Sequence, residues 1–226
     1  MDTNQVVTRN PVFACLAQAE QDKVMALGML RRYHTGQYLA HAGDLWPFLF
    51  VLLDGSISAV KESLEGRSLV ATSFQPGEIF WGVSFFYPDL AMPVALRVDL
   101  ASSVLLWSRE QLLSMILENG KASWELCRLM VGRMLRASEI VEELAFQPVM
   151  GRLARLLIDY PGQAGPGPVA RSLTLDDMAA RIGSTREVVC RFLQRFADEE
   201  LIKITRTDFE ITDRDRLAGI ARKVRG

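Results

Sequence analysis

Four polar side chains of types that can hydrogen-bond base edges recur at short spacing: Arg186, Glu187, Arg191 and Gln194. The planar fork of an arginine can donate to O6 and N7 of guanine together, and a glutamate can accept from N4 of cytosine. In a helix, residues three, four or seven positions apart lie on one face. The spacing therefore predicts a helix that reads base edges in the major groove of DNA.

A turn at Gly183 separates two helical apolar patterns, as in a helix-turn-helix unit. Apolar residues at i, i+3, i+4 and i+7 predict a scaffold helix over 175–182. Gly183 can adopt a positive φ, and Ser184 followed by Glu187 predicts a capping box at the start of the reading helix. We therefore add Ser184 and Thr185 to the predicted DNA-binding residues.

Glu187 has two structural interpretations as well as its reading role. It can serve only to cap the helix, or it can form an i,i+4 surface ion pair with Arg191 worth a few tenths of a kcal/mol. Both interpretations remain open at the level of the sequence.

The C-terminal part of the chain suits a DNA-binding module. The runs LIKITR and FEIT, separated by Thr207 and Asp208, predict a hairpin wing, and 213–225 predicts a basic closing helix. Residues 147–226 hold 14 Lys or Arg against 11 Asp or Glu, whereas 1–146 hold 12 against 16. A locally basic module can contact phosphates although the sequence pI is about 6.2.

Length and composition favour a globular protein. A chain of 226 residues, 49% apolar and 23% charged, is long enough for two ordinary domains. It has no basic N-terminal segment followed by an apolar stretch and no uncharged apolar run long enough to span a bilayer. We therefore expect a cytoplasmic protein without a membrane partner.

No catalytic or metal-binding constellation is visible. A β-roll enzyme with a metal needs three or four His and carboxylate ligands, but the chain contains only His34 and His41. No Ser-His-Asp set or P-loop is found. Cys15, Cys127 and Cys190 form no CxxC pair, which argues against a zinc ribbon or a disulfide framework. An enzyme is not expected.

The first half of the chain has the pattern of an antiparallel β-roll. Short β-prone runs punctuated by Gly and Asp extend from 31 to 107, after a segment over 11–30 that is predicted to be helical. The predicted hairpin turns are Asp54-Gly55, Glu65-Gly66 and Pro76-Gly77.

Two helices are predicted after the roll, a short one over 109–117 and a long one over 121–146. An unbroken apolar heptad seam runs along the long helix. The seam can pack on the roll, but Leu126, Leu129 and Ile140 offer a second stripe for that purpose, so the seam favours dimerisation. The predicted dimer interface comprises Cys127, Met130, Met134, Ala137, Val141 and Leu144.

Pro148 interrupts the long helix and predicts a hinge, and the Pro- and Gly-rich stretch 161–170 predicts a surface loop. The predicted domains are an N-terminal helix with a β-roll sensor over 1–108, the short helix and long dimerisation helix over 109–146, and a winged helix-turn-helix domain over 147–226.

This order resembles the superfamily of the cyclic-AMP receptor protein and the fumarate and nitrate reduction regulator. The stretches GDLWPFLFVLLDGSISAVK, PGEIF, LAFQPVMGRLARLL and IGSTREVVCRFL carry the likeness over nearly the whole chain. It implies an α+β fold with a cyclic-nucleotide-binding-like β-roll (jelly roll), a long dimerisation helix and a winged helix-turn-helix. It also implies a homodimeric transcription regulator that binds double-stranded DNA and contacts RNA polymerase.

The resemblance implies a half-site and disfavours some cofactors. Arg186, Glu187 and Arg191 match the reading residues of the cyclic-AMP receptor subgroup, which implies a TGTGA-like palindromic half-site. The oxygen-sensing branch carries an N-terminal cysteine cluster, and only Cys15 lies there, so an iron-sulfur centre is not expected.

The cyclic-nucleotide subgroup has a glutamate for the ribose and an Arg-Ser pair for the cyclic phosphate. Aligned without gaps from Gly77, these positions are Gly82 and Met92-Pro93 here, so cyclic AMP is not expected as the ligand. The Thr-Ser pair that would face the purine is Ala137-Ser138. The predicted effector pocket comprises Trp81, Gly82, Phe85, Met92, Val94, Arg97, Ala137 and Ser138.

This apolar and aromatic lining leaves several alternatives open. It can be a filled core, or it can hold a flat apolar ligand or haem, for which His34 and His41 are the only histidines that could be axial ligands. The alternative function is therefore a haem- or small-apolar-ligand sensor whose ligand state is the main output.

Overall fold

The computed structural model describes residues 3–160, 167–171 and 173–222. The chain divides into two compact units. The first unit comprises Met1–Lys61 and Ala71–Arg136, and the second comprises Glu62–Val70 and Ala137–Gly226.

The predicted helical segment 11–30 divides into two helices and the start of the first strand, and a further helix precedes it in the described part of the chain. The three helices are α1 (Thr3–Arg9), α2 (Pro11–Ala14) and α3 (Gln18–Leu27). The break after α1 follows from Asn10 and Pro11, because the Asn10 side chain accepts a hydrogen bond from the N–H of Val12 and proline favours the first helical position. Val12 and Phe13 are buried in the core beneath the roll.

The roll is a six-stranded sheet in which two long strands form the centre. Its strands are β1 (Met29–Tyr33), β2 (Tyr38–Ala40), β3 (Phe48–Glu62), β4 (Ser68–Phe74), β5 (Ile79–Trp81) and β6 (Ala95–Ser108). The order is β1-β6-β3-β4, with β2 also paired to β6 and β5 to β3. The long strands β3 and β6 run antiparallel from Phe48 opposite Ser108 to Val60 opposite Ala95.

The prediction of a hairpin turn at Asp54-Gly55 is wrong, because both residues lie within β3. The register against β6 shifts on either side of Asp54, so this is a β-bulge in a continuous strand. Gly55 has a φ of 85°, a left-handed conformation that glycine adopts without strain. The turns at Glu65-Gly66 and Pro76-Gly77 are confirmed, because they join β3 to β4 and β4 to β5.

Two helices follow the roll, α4 (Arg109–Glu118) and α5 (Gly120–Phe146). The N-terminal part of α5 packs against the core through Ala122 and Leu126, which are buried with Trp107 of β6. The indole N–H of Trp107 donates to the carbonyl of Val24 at 2.8 Å, which anchors α3 on this core.

The second unit is a winged helix-turn-helix. Its elements are α6 (Val149–Ile158), β7 (Val169–Ala170), α7 (Leu175–Ile182), α8 (Arg186–Asp198), β8 (Ile202–Ile204), β9 (Asp208–Ile211) and α9 (Arg214–Ala221). The strands form a small sheet in the order β7-β9-β8. Leu153, Met178, Val189, Phe196 and Phe209 are fully or almost fully buried in its core.

The order of roll, long helix and winged helix-turn-helix is as predicted, with local corrections in the second unit. Asp208 belongs to β9 rather than to the wing turn, and Val169-Ala170 forms a strand at the end of the predicted loop. Residues 161–166 of that loop lie outside the described residues. The closing helix ends at Ala221, and 223–225 also lie outside them.

Candidate DNA-binding and effector sites

Gly183 forms the turn between α7 and α8. Its φ of 61° and ψ of 50° are left-handed, and the N–H of Ser184 donates to the carbonyl of Ala179 at 2.9 Å. A Cβ built on Gly183 would lie 2.6 Å from Cδ2 of Leu144. Glycine is therefore favoured both by the backbone conformation and by the close approach of Leu144.

The predicted capping box of Ser184 and Glu187 is wrong, because α8 starts one residue later. The N-cap residue is Thr185, and Ser184 belongs to the turn that ends α7. The carboxylate of Glu187 accepts hydrogen bonds from its own backbone N–H and from the hydroxyl of Thr185, and these bonds lower the pKa of Glu187. Glu187 thus supports the helix start while its side chain stays exposed.

The outer face of α8 carries the predicted reading residues. Val189, Leu193 and Phe196 are buried on the inner face. Arg186, Glu187, Arg191 and Gln194 are all exposed, together with Cys190. Glu187, Arg191 and Gln194 are spaced i, i+4 and i+7, which places them on one face of the helix.

Besides Glu187, two of the predicted reading side chains have polar partners in the free protein. The guanidinium of Arg186 forms an ion pair with the carboxylate of Asp176 at 3.3 Å. The amide of Gln194 donates to the carboxylate of Asp198 at 2.9 Å. Asp176 was not singled out by the sequence, because its position on the polar side of α7 is typical of any solvated helix face.

Arg152 of α6 connects the end of α5 to the end of α7. Its guanidinium donates to the carbonyl of Ile182 at 2.8 Å and to that of Gln147 at 2.6 Å. It also donates to the carbonyls of Glu143 and Leu144 at 3.2 and 3.4 Å. These carbonyls lie at the ends of α5 and α7, where helix carbonyls have spare hydrogen-bonding capacity, so one arginine contacts both helix ends. The sequence offers one signal for this contact, because Arg152 follows the helix-breaking Pro148 by four residues, within reach of the last carbonyls of α5.

Cationic side chains also surround the wing. Arg206 is exposed in the turn between β8 and β9, and Lys203 is exposed on β8. The backbone N–H of Arg171 donates to the carbonyl of Thr207 at 2.6 Å, which brings Arg171 to the wing. Such side chains can bind phosphates without reading sequence.

The predicted effector residues of the roll are divided between two packing clusters. Phe85 is fully buried in the core under the roll, and Trp81 packs against that core. Met92 and Val94 pack instead in the roll interior, which is filled by aromatic rings such as Phe50. These side chains are core residues of two clusters, as the filled-core alternative expects.

Gly82 and Arg97 of the predicted effector pocket both make close contacts within the roll. A Cβ on Gly82 would lie 1.8 Å from the carbonyl oxygen of Trp46, so no side chain fits there. Arg97 forms an ion pair with Asp99 at 3.0 Å. Ala137 and Ser138 are exposed on α5, in the second unit.

The exposed side of α5 is broadly apolar. Met134 and Val141 of the predicted seam are 64% and 65% exposed, and Cys127 and Ala137 are exposed as well. Met130 packs partly against the core of the first unit, and Leu144 is half-buried. Further large apolar side chains exposed on α5, not included in the predicted seam, are Trp124, Val131, Leu135 and Phe146.

The two histidines lie at turns of the roll. His34 and His41 are both exposed, and the backbone N–H of each donates to a side chain three residues later, Gln37 and Asp44 respectively. They thus stabilise turns that flank β2. Within the described part of the chain, no group of three or more His, Cys, Asp or Glu side chains could hold a metal ion.

Two family models match successive parts of the chain. Residues 30–119 match the cyclic nucleotide-binding domain, and residues 151–220 match the Crp-like helix-turn-helix domain. The cyclic AMP receptor protein of Thermus thermophilus is 26% identical over 212 residues, which cover 94% of this chain and 97% of that protein. The chain belongs to the CRP/FNR superfamily of transcription regulators. Its predicted nature as a DNA-binding regulator, rather than an enzyme, is confirmed.

Solved CRP/FNR structures share the fold. A transcriptional regulator of this family from Eubacterium rectale has a TM-score of 0.80 at 19% identity and covers 94% of this chain and 98% of its own. The c-di-GMP responsive global regulator CLP of Xanthomonas campestris has a TM-score of 0.74 at 21% identity, covering 86% and 99%. No helix in the described ranges is long and apolar enough to cross a membrane.

Proposed function

We propose that the protein acts as a homodimeric, effector-gated regulator in which α8 reads a TGTGA-like palindromic half-site. The observation that carries the proposal is the exposed face of α8, where Arg186, Glu187 and Arg191 project together from a helix whose other face is buried. Two arginines suit two guanines, and the carboxylate suits the cytosine opposite the second guanine. The lowered pKa of Glu187 favours its ionised form, which accepts hydrogen bonds.

The exposed apolar side of α5 supports a homodimer. Met134, Val141, Val131 and Leu135 are each at least half exposed in the single chain. A contiguous apolar stripe of this kind is costly to leave in water and is typical of an interface. Two-fold pairing of α5 would also present two reading helices, as a palindromic site requires.

The residues of the roll do not fit cyclic AMP. The position of the ribose-binding glutamate is Gly82, where the carbonyl of Trp46 leaves no room for a side chain. The position of the phosphate-binding pair is Met92-Pro93, and Met92 is buried in the aromatic interior. We therefore propose gating by another effector. Haem is not supported either, since both histidines are exposed at turns.

Replacement of Arg186 tests the reading role. Arg186→Ala should weaken binding to a TGTGA palindrome by about 1–3 kcal/mol, because a bidentate contact to guanine is lost. Binding to a scrambled duplex of equal length should change little. Fluorescence anisotropy at fixed salt measures both affinities.

Arg206→Ala is the matched control, because Arg206 is exposed in the wing turn where it can contact a phosphate. This variant should weaken binding to the palindromic and the scrambled duplex to the same extent. If Arg186→Ala also weakened both duplexes equally, Arg186 would be a phosphate contact and the reading role would be wrong.

A further inference from the structure

An acidic side chain lies beside Arg186, the first residue of α8 and one of the proposed reading residues. Asp176 is the second residue of α7, and its carboxylate oxygen Oδ2 lies 3.3 Å from Nη1 of Arg186. The side chains of Asp176 and Arg186 are 68% and 60% exposed. The ion pair therefore lies on the outer surface of the helix-turn-helix, where DNA binds under the proposed function.

The start of α7 has a cap that does not involve Asp176. The N–H of Asp177 donates to the hydroxyl of Thr174, and the N–H of Thr174 donates to the carboxylate of Asp177, each at 3.1 Å. These two bonds form a capping box. Of two acids adjacent in sequence, Asp177 thus supports the helix start, whereas Asp176 extends to α8.

A second acid, Glu187, lies next to Arg186 but makes different contacts. Hydrogen bonds from its own backbone N–H and from the hydroxyl of Thr185 lower the pKa of Glu187 most, and the charge of Arg186 contributes less. The direct ion pair of Arg186 is with Asp176, and it uses Nη1. The edge formed by Nε and Nη2 can therefore still donate to O6 and N7 of guanine.

The carboxylate of Asp176 affects phosphate and guanine differently as partners of Arg186. Complexes with random DNA depend on contacts between cationic side chains and phosphates. A phosphate that bound Arg186 would lie close to the carboxylate of Asp176, and two anions repel each other. The edge of a guanine carries no net charge, so this repulsion does not arise when Arg186 reads a base. The acid therefore penalises phosphate binding more than guanine binding.

We propose that Asp176 is a positioning residue that raises the selectivity of Arg186 for guanine by keeping its guanidinium away from phosphates. The inference rests on the proposed function, because it requires that α8 reads bases. Exposed ion pairs are weak, so the pair with Asp176 costs little when Arg186 binds a guanine, which offers two acceptors. The cost is larger for a phosphate, which the carboxylate also repels.

The test compares the affinities of full-length variants for a TGTGA palindrome and for a scrambled duplex of equal length, by fluorescence anisotropy at several salt concentrations. Asp176→Asn should lower the ratio of the two affinities about fivefold, mainly by tightening the scrambled complex. The salt dependence of scrambled binding should steepen by about one phosphate contact, because Arg186 becomes available for it. A merely structural role of the ion pair would leave that slope unchanged.

Asp215→Asn is the matched control. Asp215 is exposed and is the second residue of α9, as Asp176 is of α7, so its replacement removes the same charge from the same helix position. It should leave the ratio unchanged. Asp176→Glu keeps the carboxylate and should also retain the ratio. When Arg186→Ala is already present, adding Asp176→Asn should no longer change the ratio.

An unchanged ratio in Asp176→Asn would overturn the inference. An equal fall in Asp215→Asn would do the same, as would a fall that arises only from weaker palindrome binding with an unchanged salt slope. The unchanged protein separates these results from failure of the proposed function. If it prefers the palindrome, the inference alone fails, whereas equal binding of both duplexes would contradict the proposed function and the inference together.

Discussion

At the scale of single residues, Arg186 has the base-reading role that we propose, and its side chain is already held in the free protein. It pairs with Asp176, and both side chains are 60% or more exposed. Exposed ion pairs contribute about 0–1 kcal/mol to stability. The pair therefore orients the guanidinium, and a guanine can replace Asp176 at low cost.

Gly183 gives a prediction at the same scale. Gly183→Ala should lower the free energy of unfolding by about 1–2 kcal/mol, because its positive φ disfavours any Cβ. Contact with Cδ2 of Leu144 adds to that cost. Urea unfolding followed by circular dichroism measures the change.

Gly219→Ala is the control for this substitution. Gly219 lies within α9, and a Cβ there meets no atom within 4 Å. Alanine should be neutral or stabilising at this site because of its higher helix propensity. An unfolding midpoint for Gly183→Ala equal to that of the unchanged protein would refute the role assigned to this turn.

The sequence was informative about residue types and less so about their exact roles. The exposed face of α8 follows directly from helical periodicity. The predicted N-cap is one residue too early because Ser184, Thr185 and Glu187 are all compatible with a helix start. Only the backbone dihedral angles show that Thr185 is the last extended residue before α8. The carbonyl oxygen of Trp46 occupies the space beside Gly82. These two residues are distant in sequence, so no local pattern reveals the contact.

At the scale of elements, α5 carries the apolar stripe on which the proposed dimer depends. Met134→Asp should convert the dimer to a monomer, because two carboxylates would be buried in the interface. Sedimentation equilibrium should give a mass near 25.3 kDa for this variant and twice that value for the unchanged chain.

Leu64→Asp serves as the control, because Leu64 is fully exposed in the turn between β3 and β4. This variant should sediment as the unchanged protein does. A dimer of Met134→Asp with undiminished stability would show that the stripe on α5 is not the interface.

Element boundaries are predicted correctly where a sequence motif permits one structure, and incorrectly where the same motif occurs in two structures. Pro148 correctly marks the end of α5 and the start of α6. An Asp-Gly pair serves hairpin turns and β-bulges alike, since both need a positive φ. The length of β3 is decided by its pairing with β6, which lies about forty residues downstream in sequence.

At the scale of the whole molecule, the order of a roll, a long helix and a winged helix-turn-helix could be predicted because strands and helices differ in hydrophobic period, and Gly and Pro mark the breaks between them. The packing of Arg133 of α5 over the rings of Phe74, Phe80 and Trp81 could not, because α5 is distant from these residues in sequence. Long-range packing brings these segments together, and periodicity carries no information about it.

The most direct test of the account measures how binding depends on the spacing of two inverted TGTGA half-sites. We predict two chains per duplex and tight binding at one spacing. Adding about five base pairs, half a helical turn, should reduce the affinity to that for a single half-site, because the second reading helix then faces the wrong side of the duplex. Binding of one chain per duplex, with the same affinity at both spacings, would contradict the account.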